Sequence, residues 1–131
     1  RAVAICKDHG VKKGMLLPVS APFHCSLMQP AADQMEHRLK AAHIEAPLVP
    51  LYANVLAAPI TDPDTIRARL VDQVTGVVRW RESMVAMAEA GVDQFVEFGA
   101  KVLGPMNKRT VEVETISVVT MADIEALAKA L

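Results

Sequence analysis

Short apolar runs alternate along the chain with stretches in which apolar residues return every three or four positions, and glycine or proline stands between most of them. The runs predict strands and the spaced stretches predict amphipathic helices. Residues 1–9 read as a helix ended by Gly10, and the apolar run 15–19, between Gly14 and the Ser20-Ala21-Pro22 turn, as a strand. Over 26–42, Leu27, Ala31, Met35 and Leu39 recur at a four-residue stride, predicting a long amphipathic helix. Pro47 and Pro50 bracket Leu48 and Val49, and 51–55 continue extended as a second strand leading into a loop. Asp62 followed by Pro63 is a helix start, because aspartate can accept amide hydrogens of the first turn and proline fits the first helical position. The helix that follows, 63–74, puts Ile66, Leu70 and Val74 on one face before Gly76. A further helix over 81–90 turns Met84, Val85 and Ala88 inward and stops at Gly91. Then come a strand over 92–98, a short helix over about 101–108, a β-branched strand over 111–119 and a closing helix over 122–131 with Thr120 or Met121 near its cap. Helices alternating with short strands predict an α/β architecture with a parallel sheet.

Composition narrows the class. The chain has 131 residues, enough to bury roughly two-thirds of its unfolded surface as one ordinary domain. Fourteen Lys and Arg against fifteen Asp and Glu leave a formal charge of −1, which excludes a broadly basic nucleic-acid-binding surface and an acidic tail. A charged partner must therefore meet a local patch. No apolar run approaches the ~18 residues of a membrane span, and no basic-then-apolar stretch at the amino terminus resembles a signal peptide, so a cytoplasmic protein without membrane or nucleic-acid partners is expected. Cys6 and Cys25 make no disulfide framework and read as reduced thiols. Because the first helix starts at Arg1 with no capping residue before it, the chain reads as the carboxy-terminal part of a longer protein.

Of the four histidines, His37 and His43 sit among charged neighbours, and His9 lies where a cation favours a helix end. His24 stands at a strand-to-helix junction, a place where α/β proteins build sites on loops held by rigid elements; a satisfied, partly buried histidine is the alternative. Cys6, His9, His24 and Cys25 are zinc-ligand types, but adjacent ligands strain a tetrahedral shell and no Cys-x-x-Cys pair is present. Cys25 as a nucleophile served by His24 fails because neighbouring side chains at a helix start diverge. Ser20, Ser26, Ser83 and Ser117 lack the flanking glycines of a serine elbow. If His24 is a base, its nucleophile lies outside this chain.

The stretch Leu17-Pro-Val-Ser-Ala-Pro-Phe-His-Cys-Ser-Leu-Met-Gln-Pro-Ala-Ala32 resembles the histidine motif of the malonyl-CoA:acyl carrier protein transacylases of bacterial fatty-acid synthesis. The resemblance continues in order through Tyr52-Ala-Asn-Val-Leu-Ala-Ala-Pro-Ile60, Ile66-Arg-Ala-Arg-Leu-Val-Asp-Gln73, Val78-Arg-Trp80 with Ser83-Met-Val85, and Phe95-Val-Glu-Phe-Gly99 with Lys101-Val-Leu-Gly104 and Lys108-Arg109. It departs at Gly76-Val77, where many members have Ser-Pro, and at Gly99-Ala100-Lys101, one residue shorter than the common Gly-Pro-Gly-Lys turn.

The resemblance implies transfer of a malonyl group from CoA to the phosphopantetheine thiol of acyl carrier protein through a serine-bound intermediate. It implies a Gly-His-Ser-Leu-Gly elbow, a histidine base, an arginine for the malonyl carboxylate and an oxyanion hole, of which this chain would supply only the base, His24. Gln73 matches the glutamine whose carbonyl holds that histidine. Phe23 would fill the space beside the substrate α-carbon and so favour malonyl, with plain core packing as its other reading. Lys101, Lys108 and Arg109 are the best candidates for docking an acidic carrier, against the simpler reading of solvated helix charges. The implied fold is part of an α/β-hydrolase-like acyltransferase domain, with 1–20 as the last helix and strand of an inserted small ferredoxin-like subdomain and 21–131 as the carboxy-terminal part of the large one. Malonyl-CoA, the carrier and the missing amino-terminal half are the implied partners, and no cofactor or metal is expected. The alternatives are a non-catalytic carrier-binding module and the acyltransferase domain of a polyketide synthase.

Overall fold

Asp62 starts its helix as the sequence requires: its carboxylate accepts the Thr65 amide at 2.7 Å and the Thr65 hydroxyl at 2.6 Å, and Pro63 occupies the first turn. The computed structural model describes residues 1–16, 18–99 and 101–130. In chain order the elements are α1 (Ala2–Ile5), α2 (Gln29–Ala41), β1 (Leu51–Ala53), β2 (Ala58–Ile60), α3 (Pro63–Thr75), α4 (Trp80–Glu89), β3 (Gln94–Phe98), α5 (Leu103–Asn107), β4 (Glu114–Val118) and α6 (Met121–Ala130). Tight 3₁₀ turns at Cys6–His9 and Ser26–Met28 extend α1 and precede α2. Gly10, at φ +76°, closes the first of them in a left-handed conformation that glycine adopts without steric cost.

The expected parallel sheet forms between β3 and β4, in register from Gln94 opposite Glu114 to Phe98 opposite Val118. The second strand is shorter than its apolar run. Leu51–Ala53 folds back on Ala58–Ile60 as an antiparallel hairpin, a partner the sequence did not reveal because Pro59 hides it. Arg79 ties this hairpin to α4: its amide donates to the Asn54 carbonyl at 2.8 Å and its guanidinium to the Leu56 carbonyl at 3.1 Å. Gly76 ends α3 where a β-carbon would come within 2.7 Å of both the Asp72 carbonyl oxygen and a Val55 methyl, so the glycine permits close packing against the hairpin turn.

Two expectations need correction. Met15, Leu16, Pro18 and Val19 form no strand; Leu17 lies outside the described residues. A strand exists only by pairing, and no described element offers these residues a ladder, so they are left without regular structure and exposed. Helix α2 packs on α3 and buries Ala32, whereas Leu27, Ala31 and Met35 of the expected apolar stripe are exposed and Leu39 is half-buried. Arg67 of α3 fastens the far end of this pair by donating to the Leu39 and Ala42 carbonyls at the α2 carboxyl terminus.

The core is small: Ala32, Ala53, Ile66, Met84 and Val118 are its buried apolar residues among those described. Ser83, Glu97 and Asn107 are buried with them. Leu48 is fully exposed, and Leu16, Phe98 and Val77 are each more than two-thirds exposed. Among the described residues no helix is long and apolar enough to cross a membrane.

Candidate active site

The Pro22–Cys25 turn brings His24 to the side of α3. His24 has φ +59°, a left-handed conformation rare outside glycine though more accessible to histidine than to most residues. Around it, the Phe23 amide donates to the Ala21 carbonyl at 3.0 Å, the Cys25 thiol to the Pro22 carbonyl at 3.1 Å and the Met28 amide to the Cys25 carbonyl at 3.0 Å. These local bonds hold the turn so that the imidazole reaches across to the last turns of α3. There its Nδ1 lies 3.0 Å from the main-chain oxygen of Gln73 and 3.4 Å from the Gln73 side-chain nitrogen.

The shorter contact decides the tautomer. A carbonyl oxygen can only accept, so Nδ1 carries the hydrogen, and a protonated Nδ1 has no lone pair left for the Gln73 amide. In the neutral ring Nε2 then holds the free lone pair. That is the state of a general base: one nitrogen oriented by a fixed acceptor, the other open to take a proton. Tyr52, Asn54, Arg69 and Leu70 line a cleft of about 220 Å³ that includes Gln73, and Arg69 pairs with Asp72 at 2.9 Å.

Phe23, directly before His24, is 56% exposed, so it belongs to no core among the described residues. Lys101 and Lys108 lie at one open groove of about 830 Å³, beside Gly104 and Ser117, but Glu112 and Glu114 share its lining. Arg109 is exposed in the turn after α5 and does not line the groove. Among the described residues no three His, Cys, Asp or Glu side chains gather as a metal site requires, and Cys6 and Cys25 are free thiols. Ser83 and Ser117 spend their hydroxyls on Arg79 and Glu97.

Sequence reasoning passed over Glu97 and Asn107. Glu97 accepts the amides of Val102 and Leu103 at 2.8 Å each, the Gly104 amide at 3.0 Å and the Ser117 hydroxyl at 3.0 Å. The Leu103 amide foremost, with the other three donors, holds its carboxyl below the usual carboxylate range against the opposing effect of burial. A charged residue inside the apolar run Phe95-Val96-Glu97-Phe98 was the available signal.

No protein-family model matches the chain. Over 118 residues, 89% of this chain, it is 43% identical to the malonyl CoA-acyl carrier protein transacylase of Escherichia coli strain K12, covering 38% of that protein. The acyl-carrier-protein-S-malonyltransferase structure from Bartonella henselae superposes with a TM-score of 0.90 at 44% identity, over 98% of this chain and 42% of the other. A structure of a type II polyketide acyl-carrier protein in complex with its malonyl-transacylase matches with a TM-score of 0.90 at 33% identity, over 99% and 43%. The mixed helix and sheet fold is thus that of an acyltransferase. Within that class its relatives are malonyl-CoA:acyl carrier protein transacylases, and the chain spans about two fifths of the length of those it matches.

Proposed function

We propose that this chain supplies the base for malonyl transfer from CoA to the phosphopantetheine thiol of acyl carrier protein, working with an amino-terminal half that carries the serine nucleophile. The observation that carries this reading is the His24 Nδ1 to Gln73 main-chain contact, which leaves Nε2 free. A serine hydroxyl is a weak nucleophile at neutral pH. Nε2 removes its proton as the oxygen attacks the malonyl thioester carbonyl, and the resulting imidazolium returns that proton to the departing CoA thiolate. In the second half-reaction Nε2 takes the carrier thiol's proton as its sulfur attacks the malonyl-serine ester, and the serine oxygen leaves with the proton. The Gln73 carbonyl stabilises the imidazolium in both.

On this reading the malonyl-binding arginine and the oxyanion hole come from the amino-terminal half. Phe23, left exposed, faces the substrate α-carbon, and Lys101, Lys108 and Arg109 form the cationic rim that meets an acidic carrier. Residues 1–20 end the inserted ferredoxin-like subdomain, and 21–131 complete the larger α/β-hydrolase-like one. A two-stranded parallel sheet supports this, because parallel sheets are normally covered on both faces and extended by further strands.

Malonyl transfer by the full-length protein carrying His24→Ala tests the proposal. The rate should fall by the ~10²–10⁴-fold typical of losing acid–base catalysis, with little change in thermal stability. Turnover equal to the parent protein would refute the assignment.

A further inference from the structure

The carboxylate of Glu97 is fully occupied. Oε1 takes the Val102 and Leu103 amides and Oε2 takes the Gly104 amide and Ser117 hydroxyl, so no lone pair direction remains for a substrate, and the residue is 8% exposed. Whatever Glu97 does, it does through what it holds. The three amides follow directly on Lys101, which sits at φ +57°, a conformation a lysine adopts only when its surroundings impose it. They also open α5, a five-residue helix too short to be stable alone. At the other end of α5, Asn107 is 3% exposed; it accepts the Trp80 indole hydrogen at 2.9 Å and donates to the Thr115 hydroxyl at 3.2 Å. Lys101 precedes this doubly fastened helix and Lys108 follows it.

The charge around the groove makes the fastening matter. Glu112 and Glu114 line it with the two lysines, and Asp123 lies near enough to Lys101 for its carboxyl to feel the ammonium charge. With carboxylates and ammonium groups lining the same groove, the surface attracts an acidic partner only where the ammonium groups are held outermost. Geometry, not net charge, sets the sign of the local field.

We propose that Glu97 is a positioning residue for carrier docking: by gathering the first amides of α5 and the Ser117 hydroxyl, it holds Lys101 and Lys108 as one cationic face toward an acidic carrier protein. The proposal rests on the docking role assigned above to these lysines. In the full-length enzyme, Glu97→Gln keeps the shape of the side chain but loses acceptors, and should raise the KM for acyl carrier protein about fivefold, the scale of a surface charge contact. The KM for malonyl-CoA and kcat at saturating carrier should hold, and added salt should raise the carrier KM less steeply than in the parent. Lys101→Glu with Lys108→Glu should raise the same KM, and Glu97→Gln added to that pair should raise it no further. If Glu97→Gln fails to fold, Ser117→Ala, which removes one donor, gives the same selective change at smaller size. A fall in kcat with both KM values moving together would mean that Glu97 only maintains the fold, and overturns the proposal. An unchanged carrier KM in Glu97→Gln, with the charge reversals active, also overturns it while leaving the docking reading intact. If the charge reversals themselves do nothing, the docking reading fails and this proposal fails with it.

Discussion

The Nδ1 of His24 meets the main-chain oxygen of Gln73, 49 residues further along the chain, at 3.0 Å, so the acceptor that orients the imidazole belongs to the backbone of α3 and not to a side chain. A backbone acceptor survives any substitution that leaves the helix intact.

It follows that Gln73→Ala should keep most of the malonyl-transfer rate, within about tenfold of the parent, while His24→Ala loses the ~10²–10⁴-fold of a missing base. Steady-state rates of the two full-length variants, measured side by side, check this. A Gln73→Ala loss as deep as that of His24→Ala would place the orienting contact on the side chain after all.

Stability should fall on acidification, and the sign follows from four carboxylates. Asp62 is held below the usual carboxylate range by the Thr65 hydroxyl and amide, Glu82 by Arg79, Glu97 chiefly by the Leu103 amide and Asp123 chiefly by the Thr120 amide. Each group binds its proton more weakly when folded than when unfolded. Their contribution is therefore complete above the unfolded values near 4 and is lost as pH drops through the lower folded values. Thermal melts of the full-length protein should show a flat Tm from about pH 6 to 7 and a decline below about pH 4.5, with a shallower decline in Glu97→Gln.

The 131-residue chain by itself should self-associate. Leu48, Val49, Val77 and Phe98 leave large apolar surface open, and the outer edges of β3 and β4 have no ladder partner among the described residues. Sedimentation of the isolated chain should show species heavier than a monomer and no malonyl transfer. Adding the amino-terminal half should dissolve the association and restore part of the activity. A monomeric chain that melts cooperatively and transfers malonyl groups alone would contradict the division of labour proposed above.

Much of the local structure was legible because its causes are local. Asp62-Pro63 starts α3, Gly10 closes the first turn and the β-branched run near Val118 forms a strand, each through contacts within a few residues. The ordered motifs around His24, Gln73 and Phe95–Gly99 likewise pointed to the family from residues alone. The tertiary structure decided what depends on partners distant in sequence. The run from Met15 to Val19 has the composition of a strand, but its described residues join no ladder, and α2, packed on α3, buries Ala32 while Leu27 and Met35 stay exposed. Pattern placed His24 at a junction before a helix, but which nitrogen carries its hydrogen depends on a carbonyl that only the packing of α3 brings near. Glu97 looked like an ordinary charge in a strand until the fold turned three amides and a hydroxyl toward it, since a buried carboxylate is stable only where distant segments supply its donors.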